Sequence, residues 1–70
     1  MADKWDRSNK APKSLFRVIG EDSFEMPPAN YWVGDYKTYE EARATARSCA
    51  KPLNPMCVYD DLGKLKFLIA

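Results

Sequence analysis

Along Lys64–Ala70 (KLKFLIA), Leu65, Phe67 and Ile69 alternate with Lys64, Lys66 and Leu68. This period-two pattern predicts a strand with Leu65, Phe67 and Ile69 against a core. Met56–Asp60 (MCVYD) reads the same way, with Val58 inward and Cys57 and Tyr59 outward. Between the two, Asp60-Asp61-Leu62-Gly63 predicts a hairpin turn, with Gly63 free to take a positive φ. Upstream, Leu15–Gly20 (LFRVIG) predicts a first strand, with Phe16 and Val18 on one face and Arg17 and Ile19 on the other. Glu21–Asn30 holds the Pro27–Pro28 pair, which removes two ladder donors and predicts a loop. Phe24 and Met26 are expected to fold back over a core edge. Tyr31–Lys37 (YWVGDYK) predicts a second strand, with Trp32 and Tyr36 inward and Tyr31, Val33 and Asp35 outward. Gly34 interrupts that parity and suggests a bulge or a close approach.

The pattern then changes period. Tyr39, Ala42, Ala46, Cys49, Ala50 and Leu53 recur at helical spacing. Thr38-Tyr39-Glu40-Glu41 fits a capping box, in which the Thr38 hydroxyl accepts from the Glu41 amide and Glu41 reaches back. Glu40 and Glu41 also suit the positive end of the helix dipole. Pro52 disfavours helix at the residue before it, so the helix is expected to run from Thr38 to about Lys51. Its apolar stripe is mostly small, which lets the helix axis sit close to a sheet that supplies the bulk.

The predicted fold class is therefore α+β, with element order β-β-α-β-β. Four mostly antiparallel strands carry one helix on one face, and strand order 2-1-3-4 makes every neighbour antiparallel. Residues 15–70 form the expected single domain. Met1–Ser14 is polar and lacks sustained alternation, so it is expected to be a disordered tail, with Trp5 its one large apolar group.

Length and composition narrow the function. Seventy residues bury only a thin core. Eleven basic against ten acidic residues leave a net charge of +1, without the excess typical of strong nucleic-acid binders. The first fourteen residues carry four basic against two acidic groups, and the rest seven against eight. There is no histidine, which removes the commonest general base and metal ligand and all His-dependent triads. Cys49 and Cys57 are too few for a Cys₄ site and lack redox-pair spacing. No enzyme, metal or cofactor is expected. No apolar run approaches a membrane span, no secretory signal is evident, and a cytoplasmic location with free thiols is expected.

The run Tyr31-x-x-Gly34-x-Tyr36-x-Thr38-Tyr39-Glu40-Glu41-Ala42, then Ala46, then Val58-x-Asp60-x-x-Gly63, resembles small bacterial and phage domains of unknown function. The resemblance covers about Leu15 to Phe67. It implies the fold and carries no activity.

One helix on one sheet leaves the other sheet face open. That face is expected to present Arg17, Ile19, Tyr31, Val33, Tyr59, Lys64, Lys66 and Leu68, an apolar patch ringed by cations. Such patches mark interfaces, so the expected partner is another protein or a second copy. Aromatic residues beside Arg17, Lys64 and Lys66 also suit single-stranded nucleic acid. Arg43, Arg47 and Lys51, at i, i+4 and i+8, give an outer helix stripe able to meet phosphates, although the helix dipole alone favours cations there. A small phage-type inhibitor or regulator is a third expectation. Glu40–Glu41 and Asp60–Asp61 are accounted for by the cap and the turn.

Overall fold

The structure, a computed structural model, describes residues 8–22, 29–52 and 54–69. Its elements run in the order β1 (Phe16–Asp22), β2 (Ala29–Tyr36), α1 (Tyr39–Cys49), β3 (Met56–Tyr59) and β4 (Leu65–Ile69). All three strand pairings are antiparallel, in the order β2-β1-β3-β4, with β2 and β4 at the edges. This is the α+β arrangement that the connectivity predicts. A helix crossing between β2 and β3 lets β3 return to the free side of β1, where every neighbour runs antiparallel.

The helix starts where its capping chemistry places it. Thr38 is extended, and its hydroxyl accepts from the Glu41 amide at 3.1 Å. The Glu41 carboxylate returns to the Thr38 hydroxyl, which donates to it at 3.2 Å. The helix ends two residues before the expected boundary. Ala50 leaves the helical region at φ −65°, ψ 138°, while its amide still donates to the Ala46 carbonyl. Lys51 and Asn54 then bond to each other across Pro52, so Lys51 belongs to the exit turn.

Ala42 and Ala46 lie against the sheet with Val18, Met56 and Val58, all nearly inaccessible to solvent. Phe16, Val33, Tyr36, Tyr39, Cys49, Ala50, Phe67 and Ile69 close the margins of this core. Small residues on the helix and branched ones on the strands are the division of bulk that the sequence implies. The expected roles of Phe24, Met26 and Leu53 lie outside the described residues.

Two irregularities reset the strand parity. The pairing steps from Val18↔Gly34 to Ile19↔Trp32, so Val33 is an extra residue in β2. It steps again from Val58↔Phe67 to Tyr59↔Leu65, so Lys66 is extra in β4. Each bulge puts two residues opposite one, and the side-chain alternation beyond it is inverted.

Candidate functional site

The helix-free face is read row by row from the register. One row runs Trp32, Ile19, Cys57, Leu68, and the next runs Asp35, Arg17, Tyr59, Leu65. This composition differs from expectation, for reasons that lie in the bulges and in the N-terminal segment.

Tyr31 and Val33 do not belong to this face. Val33 packs against the core, and Tyr31 pairs with Gly20 on the helix side. A Cβ at Gly20 would collide with the Tyr31 ring, so glycine is needed for that approach. Burial, with the nearby Cys49 and Asp22, raises the Tyr31 pKa above its ordinary value. The expected assignment of Tyr31 and Val33 to the open face, and of Trp32 to the core, is thus reversed by the bulge at Val33.

Arg17 and Ile19 lie on the predicted face and yet are closed off, at 5% and 3% exposure. Arg17 holds Asp35 with two bonds, Nε to Oδ1 at 2.8 Å and Nη2 to Oδ2 at 3.1 Å. Its Nη1 donates to the Ser8 carbonyl at 2.9 Å, and its guanidinium lies 5.9 Å from the Trp32 ring centre. The Trp32 indole also donates to Asp35 Oδ1 at 3.3 Å. A planar guanidinium suits this fork. The cation expected to greet a partner is consumed inside the molecule.

The segment bound by Arg17 was expected to be part of a disordered tail. Residues 1–7, Trp5 among them, lie outside the described residues. From Ser8 onward, the chain is attached to the body. The Ala11 amide donates to the Asp60 carbonyl at 3.0 Å, and the Ser14 amide to Asp61 Oδ2 at 2.9 Å. Ala11 is 3% exposed. Ser14 has a positive φ of 67°, a costly backbone for serine, and the Asp61 carboxylate supports it there. These bonds join backbone amides to the turn and do not depend on apolar side chains, so the polar composition of the segment gives no sign of them.

What stays accessible is the half of the face on β3 and β4. Leu68 is 58% and Leu65 51% exposed, Lys64 and Lys66 are exposed, and Tyr59 and Cys57 are half-buried between them. Leu65 was expected inward, and the bulge at Lys66 pairs it with Tyr59 instead. Leu62, at the adjoining turn, is also exposed. Burial is the main cause of raised pKa values at Cys57 and Tyr59. The Tyr59 hydroxyl, hydrogen-bonded to the thiol, partly offsets the rise at Cys57, and Glu21 adds to both. Both groups are therefore protonated at neutral pH.

The turn below the patch is built around Asp60. Its Oδ1 accepts from the amides of Leu62 and Lys64, both at 2.9 Å, and its carbonyl accepts from Gly63. Gly63 takes the positive φ, 81°, that the turn requires. The Lys64 and Leu62 amides, with Lys66 and Lys64 nearby, hold the Asp60 carboxyl below its ordinary pKa despite an opposing desolvation.

On the opposite side, Arg43, Arg47 and Lys51 are all exposed, and the Arg43 guanidinium sits 5.6 Å from the Phe67 ring centre. Among the described residues, no cluster of three or more His, Cys, Asp or Glu could hold a metal, and no helix is long and apolar enough to cross a membrane.

Fold and face together define a small α+β protein, a four-stranded antiparallel sheet with one helix and a half-covered rear surface. Comparison with protein-family models, curated proteins and solved structures finds no match for the chain.

Proposed function

We propose that the protein is a non-enzymatic interaction module that binds another protein through the β3–β4 half of its helix-free face. The observation that carries this reading is the coincidence of Leu65 and Leu68, each more than half exposed, with Tyr59 and Cys57 on one continuous surface. An apolar surface with a phenol and a rim of lysines is the composition of an interface centre and its margin. Lys64 and Lys66 bias that margin toward an acidic partner.

The test is capture from native extract with the full chain as bait, followed by the same experiment with Tyr59→Lys and with Leu68→Lys. Either substitution is expected to lower retention of the bound protein at least about tenfold, the cost of losing one central contact. Arg47→Glu, on the far side of the helix, serves as the control and is expected to leave retention unchanged. A bound protein that ignores both substitutions, in a chain monomeric by light scattering over a concentration series, overturns the reading.

A further inference from the structure

The β4 strand has one partner, β3, and its outer edge pairs with no other strand among the described residues. One group on β4 is already engaged, the Lys66 carbonyl, which accepts from the Tyr39 hydroxyl at 3.4 Å. Unpaired strand edges are templates for another strand, and proteins blunt them with proline, a covering segment or charge. Proline does not occur between Leu62 and Ile69, and the only charges there are Lys64 and Lys66. Both edge strands carry a bulge, β2 at Val33 and β4 at Lys66, and the bulge on β4 leaves Phe67–Ile69 as the regular stretch of its edge.

We propose that β4 accepts an extended acidic peptide segment as a fifth strand. The proposal deepens the interaction reading above and rests on it. Charge names the occupant. Lys66 lies on the strand and Lys64 immediately before it, and the Arg43 guanidinium stands over Phe67, beside β4 on the helix side. Glu40 is one helical turn from Arg43, and the carboxylates of Asp60 and Asp61 are bound to backbone amides, at the turn and at Ser14. A peptide strand that alternates acidic and apolar residues would set its acidic side chains toward Arg43. Its apolar side chains would extend the Leu65–Leu68 surface, since neighbours on one face of a sheet interact directly. A second copy fits worse. Antiparallel pairing about Phe67 brings two Arg43 groups and four lysines around one axis, with no acidic residue on either strand to meet them. Main-chain bonds supply the affinity in such strand addition, and the alternating side chains supply the choice of partner.

The experiment is residue-resolved amide exchange on the full chain at low salt, with a short synthetic peptide of alternating glutamate and valine and with its lysine–valine counterpart. The acidic peptide is expected to slow exchange within Phe67–Ile69 by about tenfold or more, and the lysine peptide to leave it unchanged. Arg43→Glu, an exposed substitution, is expected to weaken the acidic peptide's effect and to leave exchange in the core unchanged. No added protection from the acidic peptide, equal protection from both peptides, or protection that appears without peptide together with a dimer mass each overturns the proposal. Failure at the edge while Tyr59→Lys still abolishes capture removes the fifth strand and keeps the interaction surface.

Discussion

Arg17 is the residue on which sequence and structure differ most in meaning. An arginine on the outward row of a strand reads as a surface cation. Here it is buried, and the carboxylate it answers, Asp35, is almost as well enclosed, with side-chain exposures of 6% and 15%. Removing one member of such a pair strands the other charge, which typically costs about 3–5 kcal/mol. In a chain of this size a single hydrophobic core rarely supplies more than about 3–5 kcal/mol. Arg17→Ala is therefore expected to leave the protein largely unfolded, read as a collapse of the urea midpoint. Arg17→Met combined with Asp35→Leu is expected to recover most of the loss, because no buried charge is then left alone. Lysine is a poor replacement, since it cannot form the two-bond fork to Asp35 and still reach the Ser8 carbonyl.

The elements follow local chemistry wherever that chemistry is complete. Thr38 starts the helix, and Asp60 with Gly63 makes the turn between β3 and β4. This turn also makes stability depend on pH. The folded-state pKa of Asp60 is lowered, so its contribution is fully present above the ordinary value of 3.8 and is lost as pH falls below it toward the folded value. Asp60→Ala is expected to destabilise the protein at neutral pH, and its difference from the native chain is expected to shrink as pH falls through that window. Urea titrations at a series of pH values check this, and a difference independent of pH refutes it. Gly63→Ala adds backbone strain at φ 81° and is expected to cost about 1 kcal/mol at all these pH values. The strands were legible in existence, and β1 and β3 in parity as well, whereas β2 and the start of β4 were not. Val33 and Lys66 each add one residue to a ladder, and nothing in YWVGDYK or KLKFLIA says which residue is surplus. Gly34 marked the neighbourhood of the first bulge, while the second had no marker.

For the whole molecule, the deciding feature is the segment Ser8–Ser14. It crosses from the Arg17 side chain to the turn at Asp60 and Asp61, far away in sequence. Deleting residues 1–13 removes the bonds from the Ala11 amide and to the Ser8 carbonyl. Each such bond contributes about 1 kcal/mol, so a loss of about 2 kcal/mol is expected, with the urea midpoint lowered and Trp32 more accessible to a fluorescence quencher. An unchanged midpoint would mean that the segment rests on the body without supporting it.

The element order, the helix start and the alanine stripe were settled by the chain alone, and the strand order that makes every neighbour antiparallel is the one the structure has. They depend on spacing, capping and connection length, which are short-range properties. Which half of the rear face stays open was decided only in three dimensions. Two one-residue insertions invert side-chain parity at no cost visible in the local pattern. Arg17 buries its charge because Asp35, eighteen residues away, and the Ser8 carbonyl converge on it from separate parts of the chain.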